Sequence, residues 1–309
     1  MRILFMGTPK IAKEALEELV KYHQVIGVFT NPDRPKDRGY HVAFSEVKQF
    51  SLENNLKVFQ PLNLKGSLEI IKELSPQLIV VVAYGKILPK EILEIPKLGC
   101  INVHTSLLPK YRGAAPIHAP ILEGDGKTGV TIMYMNEKMD EGDIILQEET
   151  PIYDEDNYST LYNRLSNIGS KLLIKAIHFI DKGRITRVKQ DHSKATYTKM
   201  IKKDDSIIDW NKSAKEIFNL IKAYNPILPA KATLNDNEFK IYETKIIKFD
   251  QKYLDKKIGE VVELSKEGPI IKTGENFLIL TKIKPANKSI LSGKDIINGK
   301  YIKIGEIFK

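Results

Sequence analysis

An Asn and a His stand two residues apart near the middle of the chain, and an acidic loop follows them. Asn102 and His104 lie in INVHTSLLPKYRGAAPIHAP, and Asp140 lies in MNEKMDEGDIIL. The amide N–H of an Asn can stabilise a developing oxyanion, and a His oriented by a carboxylate can stabilise that oxyanion or shuttle a proton. The carboxylate can accept a proton from an attacking amine. Together the three side chains suit direct transfer of an acyl group between two bound substrates.

A covalent nucleophile is not needed for this chemistry. Cys100 lies inside a predicted strand, and Ser106 has no evident neighbouring base. A purely structural role is the alternative for two of the three residues. His104 could be a structural His at a strand end, and the Asp-Glu-Gly-Asp sequence around Asp140 is also typical of a turn.

The elements around these residues predict an α/β domain with a doubly wound, mostly parallel sheet. Short apolar runs alternate with helical patterns over the first 150 residues. The run LIVVVA at residues 78–83 is typical of a parallel strand that is buried on both faces. Ligands of such sheets bind beyond the carboxyl ends of the strands, and the strand predicted at residues 99–104 ends at His104. If the strand at residues 129–135 is its near neighbour, the next loop can return Asp140 to His104.

The second half of the chain has a different pattern. A long helix over residues 158–181 is expected to close a catalytic domain of residues 1–183, and residues 184–203 are interpreted as a basic linker. Residues 204–309 then predict a small OB-like β-barrel, because short strands follow one another with turn signals and no long helix between them. The strands predicted in this C-terminal domain are residues 230–234, 239–247, 259–264, 269–273, 277–284 and 301–308.

Composition narrows the class of protein. The 48 Lys and Arg residues exceed the 39 Asp and Glu residues, which gives a net charge of +9. This excess fits a polyanionic partner such as nucleic acid, although a Lys-rich composition of the organism would explain it as well. The single Cys rules out an internal disulfide, and the His residues lack ligand spacing, so no metal site is expected. No apolar run is long enough to span a membrane, and the chain is expected to be a cytoplasmic monomer.

Several stretches resemble the folate-dependent formyltransferase family. The strongest are INVHTSLLPKYRGAAPI and MDEGDII, and MGTPKIAKEAL, GVFTNPDRPKDRG, VVAYGKILP and GVTIMYM extend the resemblance over essentially the whole chain. The resemblance implies that Asn102, His104 and Asp140 occupy the family's catalytic positions. It also implies that residues 85–88 line a pteridine pocket with their backbone. The folate-binding turn would consist of four consecutive residues: Ser106, Leu107, Leu108 and Pro109.

The same resemblance implies a pair of substrates and a role in translation initiation. The donor would be 10-formyltetrahydrofolate, and the acceptor would be the α-amine of methionine esterified to initiator tRNA. This amine is less basic than that of a free amino acid because the ester withdraws electrons. Asn102 and His104 would stabilise the oxyanion that forms when the amine attacks the formyl carbon, and Asp140 would accept the amine proton.

The loop NPDRPKDRGYH, residues 31–41, is too long and too charged for a minimal connection between a strand and a helix. It is either a solvated surface loop or a finger that meets the acceptor stem of tRNA. In the second case Arg34, Lys36 and Arg38 would contact phosphates or base edges. Members of the family that act on tRNA carry such a loop, which favours tRNA binding.

Two further functions stay open at this point. A related formyltransferase that acts on a small amine, such as glycinamide ribonucleotide or an amino sugar nucleotide, would share the three catalytic residues and the folate turn. It would need neither the basic finger nor a basic β-domain. An RNA-binding protein on a degenerate enzyme scaffold is the non-enzymatic alternative, and the intact Asn102, His104 and Asp140 argue against it.

Overall fold

The computed structural model describes residues 1–35, 42–248 and 250–309. The chain divides into two compact units. The first unit consists of residues 1–116, 127–151 and 162–199, and the second consists of residues 117–126, 152–161 and 200–309. The domain boundaries placed at residues 183 and 203 stay predictions.

The first unit is built on a seven-stranded sheet in the order β10-β9-β7-β6-β1-β2-β5. Two strand pairs, β7 with β9 and β9 with β10, are antiparallel, and the other neighbours are parallel. Separate from this sheet, β3 pairs with β4 and β8 pairs with β11. In chain order the strands are β1 (Arg2–Gly7), β2 (Gln24–Phe29), β3 (Arg34–Pro35), β4 (Val42–Ala43), β5 (Val58–Phe59), β6 (Leu78–Val82), β7 (Cys100–His104), β8 (Arg112–Gly113), β9 (Lys127–Tyr134), β10 (Ile144–Pro151) and β11 (Tyr197–Thr198).

Helices alternate with these strands along the first part of the chain. The α-helices are α1 (Lys10–Tyr22), α2 (Glu46–Glu53), α3 (Leu68–Leu74), α4 (Lys90–Leu93), α5 (His118–Leu122), α6 (Tyr158–Asp181), α7 (Ala214–Tyr224) and α8 (Gly293–Asn298). The whole of β6 is buried, which explains its unbroken apolar sequence, and the apolar stripe of α1 is buried as its helical spacing requires. The prediction of a doubly wound, mostly parallel sheet is confirmed. No helix in the described ranges is both long and apolar enough to cross a membrane.

The second unit contains an antiparallel sheet, as predicted. Its strands follow the order β12-β13-β16-β15-β14, and β17 pairs with β16. Their bounds are β12 (Ala230–Leu234), β13 (Asn237–Ile247), β14 (Val261–Leu264), β15 (Pro269–Lys272), β16 (Phe277–Pro285) and β17 (Leu291–Ser292). The rings of Trp210 and Phe239 lie 5.6 Å and 5.7 Å from the ring of Phe308 in the core of this unit.

The strand predicted over residues 301–308 is wrong. Residues 301–308 contain only turns and an isolated bridge between Ile307 and Glu260. The elements before them are β17 and α8, and α8 begins where the Ser292 hydroxyl accepts a hydrogen bond from the Asp295 N–H. Gly305 then has a φ of +86°, a left-handed conformation that interrupts the extended backbone. Residues 305–309 still join both edges of the sheet, because the Gly305 N–H donates to the Val261 carbonyl and the Lys309 N–H donates to the Thr233 carbonyl.

Candidate active site

The carboxyl end of β7 presents the Asn and His that the sequence singles out. Side chains two residues apart on a strand share a face of the sheet, so Asn102 and His104 lie on the same side of β7. Asn102 pairs with Val81 of β6 on one side, and His104 pairs with Thr131 of β9 on the other. The His104 side chain is buried, whereas Asn102 is half-buried.

The structure brings His104 and Asp140 together. Nδ1 of His104 lies 3.7 Å from Oδ2 of Asp140. The other ring nitrogen, Nε2, lies 3.0 Å from the carbonyl oxygen of Tyr111, which can only accept a hydrogen bond, so Nε2 carries the proton. In the neutral ring Nδ1 therefore has a free lone pair that faces the carboxylate. Nδ1 is therefore the ring nitrogen through which His104 can exchange a proton with Asp140.

The loop between β9 and β10 fixes the position of Asp140. Its φ is +54°, a left-handed conformation that Asp tolerates better than most residues. The Gly113 N–H donates to Asp140 Oδ2 at 2.8 Å, a charge-assisted hydrogen bond. Gly142 passes so close to β9 that a Cβ there would lie 1.8 Å from the Tyr134 carbonyl oxygen. This loop thus depends on glycine at position 142 for its path.

The turn at residues 106–109 is held from behind by two polar side chains. The Thr131 hydroxyl accepts from the Leu108 N–H at 3.1 Å and donates to the Ser106 carbonyl at 2.7 Å. Gln147 donates to the Leu108 carbonyl at 2.9 Å. The buried Ser106 hydroxyl donates to the carbonyl of Lys110 at 2.6 Å, so this hydroxyl shapes the turn itself. Sequence reasoning missed Thr131 and Gln147, because nothing in their sequence context marks them.

The base of the loop over residues 31–41 is tied to its surroundings. Asn31 Nδ2 donates to the Tyr84 carbonyl at 2.9 Å, next to residues 85–88. Gln60 donates to the Asn31 carbonyl at 2.8 Å and to the Asp33 carboxylate at 2.9 Å, and Lys48 forms an ion pair with Asp33. The backbone of Arg34 belongs to β3, and its side chain lies outside what is described. Lys36 and Arg38, the other two residues predicted to contact tRNA, lie outside the described residues.

The chemistry available at this crevice is proton transfer and oxyanion stabilisation. Burial raises the pKa of the Cys100 thiol to about 12, so this side chain stays protonated at neutral pH and is a poor nucleophile. Among residues 1–35, 42–248 and 250–309, no group of three or more His, Cys, Asp or Glu side chains is placed to hold a metal ion. Within the same ranges, the side-chain amide of Asn102 has no hydrogen-bond partner, which leaves it available to a ligand.

Comparison with known proteins agrees with this geometry. Residues 1–177 match the family described as formyl transferase, and residues 200–301 match the formyl transferase C-terminal domain. The methionyl-tRNA formyltransferase of Fusobacterium nucleatum is 51% identical over 309 residues, which cover 99% of each chain. The enzyme of that name from Bacillus subtilis is 43% identical over 310 residues, which cover 99% of this chain and 97% of that relative.

The fold of this chain is also similar to that of a solved formyltransferase structure. The N-formyltransferase from Helicobacter canadensis, in complex with folinic acid and dTDP-3-aminofucose, has a TM-score of 0.68 and 25% sequence identity. The match covers 93% of this chain and 99% of that one. The two family matches together span most of the sequence, and full-length relatives exceed 40% identity. The chain therefore belongs to the formyltransferase family.

Proposed function

We propose that this protein transfers a formyl group from 10-formyltetrahydrofolate to the α-amine of methionyl initiator tRNA, for translation initiation. The observation that carries the proposal is the approach of His104 Nδ1 to the Asp140 carboxylate at 3.7 Å, beyond the carboxyl end of β7. It occurs in a chain whose full length aligns with proteins named methionyl-tRNA formyltransferase.

The reaction needs two actions from the side chains at the crevice, which are acceptance of a proton and stabilisation of an oxyanion. Asp140 accepts the proton that the amine loses as it attacks, and the Tyr111 carbonyl orients His104 so that Nδ1 faces Asp140 and can take that proton on. Asn102, through its unpartnered amide N–H, and His104, once protonated, stabilise the oxyanion that develops on the formyl oxygen. When bound, 10-formyltetrahydrofolate supplies the activated formyl carbon, and the turn at residues 106–109 and the backbone of residues 85–88 would hold it.

We also propose that the loop over residues 31–41 contacts the acceptor end of the tRNA through Arg34, Lys36 and Arg38. The hydrogen bonds at its base support this role, since Asn31 binds the Tyr84 carbonyl just before residues 85–88 and Gln60 holds the Asn31 carbonyl in turn. The start of the loop, at Asn31, thereby lies next to the segment proposed to line the donor pocket.

The alternative acceptor is a small amine such as an amino sugar nucleotide. The Helicobacter canadensis structure holds such a compound, but its 25% identity is well below the 51% of the Fusobacterium nucleatum relative.

The test is transfer of labelled formyl from 10-formyltetrahydrofolate to methionyl initiator tRNA, dTDP-3-aminofucose and glycinamide ribonucleotide, each assayed separately. Efficient transfer to the tRNA alone is expected. Transfer to a small amine with none to the tRNA would overturn the proposal.

A variant assay tests the assignment of Asp140. Asp140→Asn keeps the size of the side chain but removes its basicity, so the rate of formyl transfer should fall by about 10²–10⁴-fold. Asp143→Asn, the same exchange three residues later in the chain, is the matched control and should keep the wild-type rate. If Asp140→Asn is as active as the control, the assignment of Asp140 is wrong.

A further inference from the structure

A buried amide holds the backbone of the loop that carries Asp140. The side chain of Gln190 is 6% exposed. Its Nε2 donates to two carbonyl oxygens, those of Asp140 and Gly142, each at 2.8 Å. Both donors of this amide are thus used on the two residues that flank Glu141, about 50 positions earlier in the sequence.

The orientation of the Gln190 amide is fixed from its other end. Its oxygen accepts from Nε and Nη2 of Arg112 at 3.1 Å and 2.7 Å. A guanidinium group only donates and a backbone carbonyl only accepts, so the amide cannot be reversed without losing all four hydrogen bonds. Arg112 is 0% exposed, which makes these charge-assisted bonds costly to break.

Arg112 is itself anchored to the same loop. Its Nη1 lies 3.2 Å from the Glu141 carboxylate, and it donates to the Tyr197 hydroxyl at 3.1 Å. The N–H of the next residue, Gly113, binds the Asp140 carboxylate. Strand β8 therefore holds the Asp140 carboxylate and the Glu141 side chain, and Gln190 holds the Asp140 carbonyl.

We propose that Gln190 is a positioning residue for the formyl transfer reaction, acting through Asp140. The proposal rests on the proposed function, since it requires Asp140 to take the amine proton. The separation of His104 Nδ1 and Asp140 Oδ2 is 3.7 Å, and a displacement of about 1 Å in such an arrangement costs on the order of 10²-fold in rate. Asp140 also has a left-handed backbone, and its neighbour Met139 is 59% exposed, so the loop needs support from outside itself.

The variant that isolates this role is Gln190→Glu. It keeps the size of the side chain and an acceptor for Arg112, but it places oxygen instead of N–H₂ against the carbonyls of Asp140 and Gly142. We expect the single-turnover rate constant to fall about 10²-fold with the KM for folate and for tRNA unchanged. Gln49→Glu makes the same exchange on the exposed face of α2 and is the control that should keep the wild-type rate.

A double-mutant cycle separates positioning from general damage to the fold. In an Asp140→Asn background, adding Gln190→Glu should slow the residual single-turnover rate by less than about 3-fold, because the group that Gln190 positions is already disabled. An equal loss in both backgrounds would overturn the proposal. If Gln190→Glu does not fold, Gln190→Met is used in the same cycle, and a wild-type rate for Gln190→Met would also overturn it.

The failure of this proposal can be told apart from the failure of the proposed function. If Asp140→Asn is slow while Gln190→Glu has the wild-type rate, only the positioning role is overturned. If Asp140→Asn has the wild-type rate, the catalytic assignment of Asp140 fails and the positioning role fails with it.

Discussion

Asn102 differs from its two neighbours at the crevice because no side chain or backbone group in the described part of the chain holds its amide. His104 is fixed by the Tyr111 carbonyl and Asp140 by the Gly113 N–H. A free amide at a half-buried position is suited to bind a charge that appears only during the reaction, since such a donor stabilises the transition state more than the ground state.

Two substitutions at Asn102 distinguish a hydrogen-bond donor to the oxyanion from a side chain that only fills space. Asn102→Ala should lower kcat by about 10²–10³-fold, the usual effect of losing one oxyanion donor. Asn102→Asp keeps the shape but puts a negative charge beside the developing oxyanion, so kcat should fall at least as far. The measurement is steady-state formyl transfer with both substrates saturating. Recovery of activity in Asn102→Asp would show that Asn102 only fills space.

Cys100 provides a second test at the scale of one side chain. With a pKa of about 12 instead of the ordinary 9.0, its thiolate fraction near pH 8 is about a thousandfold lower. The native protein should therefore react very slowly with 5,5′-dithiobis(2-nitrobenzoate), and one thiol should react after unfolding in guanidinium chloride. Cys100→Ala should release no colour in either state and should keep formyl transfer. Rapid labelling of the native protein, or loss of activity in Cys100→Ala, would contradict this interpretation.

Sequence periodicity predicts the helices and strands whose apolar repeat is long or strictly kept. Helix α6 has its predicted bounds because its apolar repeat continues over 24 residues, and β12 has its predicted bounds because a buried residue alternates with a half-buried one. The strand predicted over residues 301–308 fails because Gly305 breaks the extended backbone. Periodicity describes one segment at a time, so it gives no information on which residues of a distant segment will accept its hydrogen bonds.

The segment over residues 184–203, interpreted as a basic linker, illustrates that limit. Its polar sequence conceals β11, which pairs with β8, and Gln190, which holds the loop of Asp140. Residues 184–199 of this segment belong to the first unit. The partners of Gln190 are backbone carbonyls, and every residue type has one, so no feature of the sequence marks this contact. By contrast, the approach of Asp140 to His104 could be predicted from the order of the strands, because the strand that ends at His104 pairs with the strand that precedes the Asp140 loop.

The buried contacts of the Arg112 side chain with Gln190 and Glu141 predict a specific cost for changing this residue. Arg112→Lys keeps the charge but cannot reproduce the fork that binds Gln190, and Arg112→Met leaves Glu141 without its buried partner. We expect the free energy of unfolding to fall by about 1–3 kcal/mol for Lys and by more for Met, which also leaves the buried Gln190 oxygen without a donor. Denaturant unfolding followed by circular dichroism measures both. Arg184→Lys, at an exposed position in the same part of the chain, should change the free energy by less than about 0.5 kcal/mol.

For the whole molecule, the net charge of +9 predicts how the tRNA complex responds to salt. Each phosphate neutralised by a Lys or Arg releases counterions, so the logarithm of the affinity should fall linearly with the logarithm of the salt concentration. Filter binding of initiator tRNA measures the slope, and Arg38→Ala should reduce it by about one. Folate binding to the same protein serves as the control and should depend far less on salt. A flat response for tRNA would remove the electrostatic part of the proposal.

The hydrogen bonds that join residues 305–309 to both edges of the second unit's sheet bear on how the nascent chain matures. The edge strands β12 and β14 are synthesised long before Gly305 and Lys309, which are needed to connect them. Until residues 305–309 have left the ribosomal exit tunnel, Val261 of β14 and Thr233 of β12 lack these partners, and the pocket that Phe308 fills beside Trp210 stays open. The first unit, whose last segment ends at residue 199, has all its residues available earlier in translation. A chaperone would therefore find more to protect in the second unit before residues 305–309 emerge than after.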